Sequence, residues 1–180
     1  MNQHHFLIGL GSNIAPVENM ALMVKALLPH IERLTLSRVL TTPPVGMNTH
    51  RHFLNAVAYI ETTLSAEQLK TISNQIEAEM GRDRSDPDSK HKDRPADIDI
   101  LCCGTLDDFV VKPPSAITDE YFLYPLIEEL LAHLAGDNTP NIQQGVKIDF
   151  AGLFFGEAPT AIHWDADPGQ KGILQQAADR

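Results

Sequence analysis

The order in which strand-like and helix-like patterns follow one another is the feature that most constrains the fold of this chain. Short apolar or alternating runs predict strands, and apolar residues recurring every three or four positions predict helices. The patterns come in the order strand, helix, strand, strand, helix, strand, over residues 6–10, 16–28, 31–42, 53–62, 65–81 and 98–103. This is the ferredoxin-like split βαβ order. The chain is therefore predicted to be α+β, with a ferredoxin-like βαββαβ core and an antiparallel sheet.

Local signals mark the boundaries inside this core. Ser65-Ala66-Glu67-Gln68 is a capping-box signature that predicts the start of the second helix, and Gly81 predicts its end. The prolines of Thr42-Pro43-Pro44-Val45-Gly46 cannot donate to a β-ladder, so this segment is predicted to be a rigid loop between two antiparallel strands. Residues 82–95 are polar, charged and non-periodic, and we expect them to form a mobile surface loop.

Beyond residue 104 the patterns predict a C-terminal hairpin and helix added to the core. Phe109-Val110-Val111 is interpreted as a short hairpin strand, residues 126–134 as a helix and residues 146–150 as a strand. Residues 136–180 form a poorly defined C-terminal extension, whose last stretch of about 20 residues is expected to be a loose tail. The whole chain, residues 1–180, is interpreted as one domain.

Composition and charge exclude several classes of function. The chain has 180 residues, is 43% hydrophobic and carries a net charge of −10, so it can bury a core but does not suit a general binder of nucleic acid or anionic membranes. Its two cysteines, Cys102 and Cys103, are adjacent and are expected to be reduced thiols, as in a cytoplasmic protein. Neither a targeting segment nor a membrane-spanning run of about 20 apolar residues is recognisable.

The most informative chemical feature is the pair of acids in Asp97-Ile98-Asp99. Residues two apart in a strand point to the same face, so two carboxylates would meet beside an apolar run. Such carboxylates repel each other unless a cation compensates, and Mg²⁺ takes one or two carboxylates together with water and substrate phosphates. The alternative is a pair of solvated acids at a strand edge.

Three arginines lie close to these acids in the predicted fold. Arg82 and Arg84 follow the second helix, and Arg94 precedes the last strand. Arginines facing metal-loaded carboxylates form a constellation suited to phosphoryl transfer, which depends mainly on positioning and charge neutralisation. The alternative for Arg82 and Arg84 is a solvated helix terminus, where cations are favourable.

A third group combines the proline loop with the strand that follows it. Asn55 lies inside an apolar strand, where its amide needs a partner, and it offers donors and an acceptor to the edge of a heterocycle. Phe53 faces the same side and could stack on a ring. The alternative is a core phenylalanine beside an asparagine that the backbone satisfies.

Taken together, five motifs resemble the 6-hydroxymethyl-7,8-dihydropterin pyrophosphokinase family in order and spacing. The resemblance covers residues 6–104 and continues loosely to Leu130. It implies a ferredoxin-like α+β enzyme of folate synthesis that moves the terminal diphosphate of ATP onto the hydroxymethyl oxygen of a pterin and releases AMP. The motifs are Gly9-Leu10-Gly11-Ser12-Asn13, Thr42-Pro43-Pro44-Val45-Gly46, Phe53-Leu54-Asn55-Ala56, Ile76-Glu77 with Gly81-Arg82-Asp83-Arg84, and Arg94-Pro95-Ala96-Asp97-Ile98-Asp99-Ile100.

The resemblance also implies roles for individual residues. Asp97 and Asp99 match ligands of two Mg²⁺ ions, and with Arg82, Arg84 and Arg94 they form the implied catalytic set. The implied nucleotide contacts are Glu77, Arg82, Arg84, Arg94 and Ile100. The implied pterin contacts are Thr42, Pro43, Val45 through its backbone, Gly46 and Asn55, with Phe53 and Tyr121 on the two faces of the ring. The loop of residues 82–95 would close over the nucleotide and exclude water.

Some positions depart from the family pattern, and they keep a second hypothesis open. Where the family has Trp-Gly-Pro, a Pro-His pair and an arginine, this chain has His91-Lys92-Asp93, Pro113-Pro114 and Asp119. A negative charge at Asp119 opposes a triphosphate. The alternative is a pterin-binding paralogue with weak or no pyrophosphokinase activity. The expected partners are the small-molecule pterin and ATP, without nucleic acid or membrane, and the protein is expected to be a cytoplasmic monomer or weak dimer.

Overall fold

The computed structural model of this chain describes residues 3–31, 33–137, 143–165 and 172–176. Its strands are β1 (His4–Ser12), β2 (Arg33–Leu36), β3 (Leu40–Thr42), β4 (Phe53–Thr62), β5 (Asp97–Cys103), β6 (Ile148–Phe150), β7 (Leu153–Phe155), β8 (Thr160–Asp165) and β9 (Gly172–Gln176). Seven of them form one sheet in the order β5-β1-β4-β2-β8-β9, with β3 paired to β4, and β6 pairs with β7. Every pair is antiparallel. The predicted α+β fold with an antiparallel split-βαβ core is confirmed.

Four α-helices cover the two faces of this sheet in the described ranges: α1 (Pro16–Leu27), α2 (Ala66–Glu79), α3 (Leu106–Val110) and α4 (Tyr124–Leu134). Alternate residues of β1 divide between two cores. Phe6 and Ile8 pack with α1 and α2, whereas Leu7 packs with α4 on the opposite face. The capping box at Ser65 is confirmed, since its side chain accepts from the Gln68 amide over 3.2 Å. None of the described helices is long and apolar enough to cross a bilayer.

The single strand predicted over residues 31–42 is wrong, because the chain forms two strands, β2 and β3. Between Leu36 and Leu40 the chain takes four steps where β4 takes three. The extra residue forms a bulge-like break, in which the Ser37 amide donates to the Val57 carbonyl over 2.8 Å. The alternation of Leu34 and Leu36 is interrupted at Arg38 and resumes at Leu40, and this single polar residue is too weak a signal to predict a break. The break sets the register in which β3 delivers the proline loop to β4.

The hairpin strand predicted at Phe109-Val110-Val111 is also wrong, because these residues belong to or follow helix α3. Thr105 caps this helix: its amide donates to the Asp108 carboxylate over 2.8 Å, and its hydroxyl accepts from the Asp108 amide over 3.3 Å. This capping box outweighs the strand preference of the residues that follow. Phe109 is fully buried in the core beneath α4.

The loose tail predicted for the last residues is wrong where the structure describes them. Strand β8 pairs with β2, and β9 pairs with β8, so both extend the main sheet. Ile162 on β8 is fully buried in the core beneath α1. The pairing joins segments more than a hundred residues apart, which no local pattern signals. The strand predicted over residues 146–150 is present as β6.

Candidate active site

A cavity of about 480 Å³ lies at the end of the sheet where β1 ends and β4 and β5 begin. Because β1 runs antiparallel to both β4 and β5, the C-terminal end of β1 lies beside the N-terminal ends of β4 and β5. The cavity brings together residues predicted from segments far apart in the chain. Eleven of the fourteen predicted site residues line it: Thr42, Pro43, Val45, Phe53, Asn55, Arg82, Arg84, Arg94, Asp97, Asp99 and Tyr121.

Three predicted residues, Gly46, Glu77 and Ile100, do not line the cavity. Ile100 follows Asp99 in a strand and therefore faces the opposite side, where it packs against the core beneath α1 and α2. A nucleotide contact through the Ile100 side chain is thus not supported. Conversely, Met47, Lys90, Glu120, Phe122 and Leu123 line the cavity although sequence reasoning missed them. Only their neighbourhood to predicted residues could have suggested this.

Asp97 and Asp99 share one face of β5, as predicted. They lie opposite Gly11 and Gly9 of β1, which place no side chains beside them. The Asp97 side chain is 19% exposed and that of Asp99 is 45% exposed, so both carboxylates reach the cavity while one is largely enclosed. The interpretation as fully solvated edge acids does not describe Asp97.

Two arginines bind the enclosed carboxylate. Arg82 forms a short ion pair with Asp97 Oδ1, and Arg94 Nη1 lies 2.8 Å from Asp97 Oδ2. The Nε atoms of both arginines are buried and, among the described residues, have no hydrogen-bond partner. Arg82 is thus not a solvated helix terminus, since its side chain is only 6% exposed.

Glu77 forms ion pairs with Arg82 and with Arg84. It is fully buried, and its Oε1 lies 3.2 Å from Arg82 Nη1 while its Oε2 lies 2.6 Å from Arg84 Nη2. The Ile98 amide, which faces outward from edge strand β5, donates to Glu77 Oε1 over 2.7 Å. Glu77 does not line the cavity, and its direct contact with a nucleotide stays a prediction. A buried carboxylate with two cations and an amide donor is a satisfied arrangement.

Asp99 has a different environment from Asp97. Partial burial raises the pKa of the Asp99 carboxyl, the negative charge of Asp97 raises it further, and Lys70 opposes both effects. Lys70 Nζ lies 3.6 Å from Asp99 Oδ1. A further cation beside Asp99 would relieve the repulsion between the two acids.

The opposite side of the cavity combines an aromatic ring with hydrogen-bonding side chains. Asn55 Nδ2 donates to Thr42 Oγ1 over 2.6 Å, which leaves the Asn55 carbonyl oxygen near the Gly11 backbone. Asn55 is therefore satisfied by a side chain and not by the backbone. The ring of Phe53 lies below the guanidinium of Arg94, whose Cζ is 5.8 Å from the ring centroid. Tyr121 is 62% exposed at the cavity rim.

The loop of residues 82–95, predicted to be mobile, is anchored at several points. The Asn13 amide donates to the Arg94 carbonyl over 3.1 Å, and the Arg94 amide donates to Asn13 Oδ1 over 2.8 Å. His91 Nδ1 lies 3.1 Å from the Gly46 carbonyl oxygen, which joins this loop to the proline loop. The loop thus lies against the cavity and forms part of its wall.

Glu120 forms the acidic side of the cavity together with Asp119. Partial burial raises the pKa of the Glu120 carboxyl, and the charges of Asp99 and Asp97 raise it further, while Arg94 lowers it. The ionised form of Glu120 is therefore less stable in the folded protein than in the unfolded chain.

We expect Glu120→Gln to raise the free energy of unfolding at neutral pH. Because the folded-state pKa lies above its ordinary value of 4.5, the wild-type chain loses stability as pH rises through the interval between the two values, and the variant does not. The gain should disappear below pH 4.5. Urea unfolding at pH 4 and pH 7 measures it, with the exposed Glu128→Gln on α4 as the control. An equal gain at both pH values would contradict the prediction.

The carboxylate oxygens of Asp97 and Asp99 are suitable ligands for a hard divalent cation. Asp97 and Asp99 offer oxygen ligands on one face, and partial burial together with their mutual repulsion favours a cation between them. Among the described residues, no cluster of three or more acidic, histidine or cysteine side chains is arranged to hold a metal ion. An ion at this position would therefore complete its coordination with water or phosphate oxygens, as Mg²⁺ commonly does.

Comparisons with a family model and with curated proteins all identify the same family. The family model of the 7,8-dihydro-6-hydroxymethylpterin-pyrophosphokinase (HPPK) matches residues 7–130. A protein of Bacillus subtilis is 33% identical over 67% of this chain and 75% of its own length, and one of Methylorubrum extorquens is 34% identical over 81% and 94%. A protein of Porphyromonas gingivalis is 35% identical over 52% of this chain, which spans 65% of that relative. Each relative is named 2-amino-4-hydroxy-6-hydroxymethyldihydropteridine pyrophosphokinase.

Proposed function

The chain belongs to the 7,8-dihydro-6-hydroxymethylpterin-pyrophosphokinase family, and on this premise we propose that it transfers diphosphate from ATP to 6-hydroxymethyl-7,8-dihydropterin in folate biosynthesis. The observation that carries the proposal is a single cavity in which two same-facing aspartates and two largely buried arginines lie next to Phe53 and Asn55. The hydroxymethyl oxygen forms a bond to the β-phosphorus of ATP. The bond from that phosphorus to the α,β-bridging oxygen breaks, AMP leaves, and the hydroxyl proton passes to solvent.

Asp97 and Asp99 are the residues that would hold Mg²⁺, and we propose two ions. When bound, Mg²⁺ neutralises phosphate charge and supplies an electrophilic contact to the transferring group. The chain's own contribution is to keep both carboxylates on one face, with Asp97 oriented by Arg82 and Arg94. An arginine that released its carboxylate oxygen to such an ion could take a phosphate oxygen instead, which guanidinium groups bind with similar geometry.

The arginines and the loop around them form the proposed phosphate side. Arg84 is 40% exposed and is held by Glu77, so its free donors can meet a phosphate without losing their support. Lys90 also lines the cavity, and its carbonyl oxygen accepts from Arg94 Nη2 over 2.6 Å. These cations would align the triphosphate for in-line attack. The loop of residues 82–95, which carries them, would exclude water when it closes over the nucleotide.

The pterin would occupy the opposite side of the cavity. Its ring would stack on Phe53, with the exposed Tyr121 free to close on the other face. Thr42, Asn55 and the Val45 backbone would bind the polar edge of the ring, with Pro43 shaping the wall. To bind there, the ring must displace the guanidinium of Arg94 from its position over Phe53.

We expect Gly11→Ala to weaken pterin binding by roughly tenfold or more, which is the cost of one disturbed buried hydrogen bond. A methyl group at Gly11 would lie 2.7 Å from Asn55 Oδ1, so the amide must shift, which disturbs its hydrogen bond with Thr42. Gly9→Ala is the matched control, because its methyl group would meet only ordinary contacts at 3.5 Å with the side chains of Leu101 and Leu123. Calorimetric titration with the pterin measures both variants. Equal affinities would contradict this role of Asn55.

Release of AMP tests the proposed reaction directly. The purified chain is incubated with ATP, Mg²⁺ and the hydroxymethyl dihydropterin, and AMP and the diphosphorylated pterin are quantified by chromatography. We expect the two products in equal amounts and none when the pterin or Mg²⁺ is omitted. Pterin binding without AMP release would instead support the alternative, a pterin-binding paralogue with weak or no transfer. Asp119, whose negative charge opposes a triphosphate, lines the cavity and is the observation behind that alternative.

The cellular setting of the protein is part of the same proposal. Cys102 and Cys103 are free thiols in the structure, which is in keeping with a reducing, cytoplasmic location. The net charge of −10 disfavours nucleic acid and anionic membranes as partners. We propose that the protein acts as a monomer or weak dimer on small molecules.

A further inference from the structure

Lys70 lies beside the cavity without lining it, and the proposed reaction does not yet use it. It lies on α2 seven residues before Glu77, so both side chains are on the side of the helix that faces edge strand β5. Lys70 Nζ is 3.6 Å from Asp99 Oδ1, and its side chain is 41% exposed. Ion pairs that are half exposed contribute little to folding stability. The contact is therefore better explained by the site than by the fold.

The two carboxylates are neutralised in different ways. Asp97 is enclosed by two arginines, whereas Asp99 is approached by the flexible ammonium of Lys70. An ammonium on a four-carbon stem moves at little cost, unlike a buried guanidinium. A divalent cation arriving at Asp99 would displace it, and the released ammonium would remain at the edge of the cavity.

The charges that line the cavity indicate where the released ammonium would act. Four cationic side chains, those of Arg82, Arg84, Lys90 and Arg94, are matched by four acidic ones, those of Asp97, Asp99, Asp119 and Glu120. A polyphosphate would be repelled from the wall that carries Asp119 and Glu120 and would lie toward α2 and the loop of residues 82–95. Lys70 lies on this α2 side, in contact with Asp99, which lines the cavity.

We propose that Lys70 is a nucleotide-binding residue, which serves as the counter-ion of Asp99 in the free protein and contacts the phosphates of the metal-bound nucleotide. The inference rests on the proposed function and adds a binding residue to it. Removing the positive charge should therefore have opposite effects on two ligands. It should weaken binding of the metal–nucleotide complex. It should strengthen binding of a divalent ion alone, because the ammonium no longer competes with the ion for Asp99.

The test compares Lys70→Met, which keeps the length of the side chain, with Lys70→Arg and with the distant control Lys25→Met on α1. Calorimetry measures the affinity for a non-hydrolysable ATP analogue with Mg²⁺, for the pterin alone, and for Mn²⁺ alone. We expect Lys70→Met to bind the analogue roughly tenfold more weakly, with a larger loss at low salt, and to bind Mn²⁺ more tightly. Lys70→Arg and Lys25→Met should bind the analogue with nearly wild-type affinity, and pterin affinity should not change.

Two results would overturn this inference alone: wild-type affinity of Lys70→Met for the analogue, or an equal loss in Lys25→Met. If the wild-type chain bound the pterin but not the analogue, the proposed function would fail and this inference with it. Thermal unfolding of each variant identifies a loss caused by misfolding, and Lys70→Arg then decides whether the charge matters.

Discussion

Asp97→Asn is expected to lower the rate of AMP release by roughly 10²- to 10³-fold, the usual effect of removing one preorganised charged group from a polar active site. The carboxylate is proposed to hold the metal ion, and it orients Arg82 and Arg94. Asparagine keeps the shape but provides a neutral oxygen and a donor that would face an arginine. Steady-state kinetics, with ATP and pterin varied in turn, measure the effect.

Asparagine is a better replacement than alanine at this position. Alanine would leave two largely buried arginines without their shared carboxylate, and a loss of fold could then be mistaken for a loss of chemistry. For Asp97→Asn we expect a loss of about 1–3 kcal/mol in the free energy of unfolding. Asp107→Asn, exposed on α3, provides the control and should change neither property. Full turnover by Asp97→Asn would refute the metal-binding role.

Glu77→Ala is expected to lower the free energy of unfolding by about 3–5 kcal/mol, the typical cost of removing one partner from a buried ion pair. Its carboxylate is fully buried and serves Arg82, Arg84 and the Ile98 amide of an edge strand. Alanine leaves all three donors without this acceptor. Urea unfolding monitored by circular dichroism measures the loss, and an unchanged m-value would show that the unfolded state is not affected.

Two further variants separate charge from packing at this position. Glu77→Gln keeps an oxygen for the Ile98 amide and should lose less stability than Glu77→Ala. Glu79→Ala, exposed on the same helix, should cost no more than about 0.5 kcal/mol. If Glu77→Ala and Glu79→Ala had similar effects, the arginines would have to be held by other groups, and the positioning role of Glu77 would be wrong.

The core elements were predictable because their signals are local. The capping box at Ser65 and the alternation over Phe53–Thr62 depend on residues that are close in sequence, and both predicted elements are present. Strand β8 was missed because its partner β2 lies more than a hundred residues away. Helix α3 does not stand out in the sequence, because three residues that favour strands follow the capping box at Thr105.

The candidate site shows the same division. Asp97 and Asp99 could be placed on one face from strand geometry alone. The motif spacing indicated that the arginines, Phe53 and Asn55 belong to the site. How deeply each of these side chains is buried could not be predicted from spacing along the sequence. Glu77 is fully buried beside Arg82 and Arg84 and does not line the cavity, and this depth depends on how α2 packs against β5.

The chain's own sequence determined the succession of strands and helices and the chemical types of the site residues, because both depend on spacing along the backbone. Only the tertiary structure decided which carboxylate two arginines enclose and which is left to Lys70. It also decided that Glu120 faces the aspartates across the cavity. The physical reason is that solvation and charge at each group depend on elements brought together from distant parts of the chain, and these are set by packing and not by local periodicity.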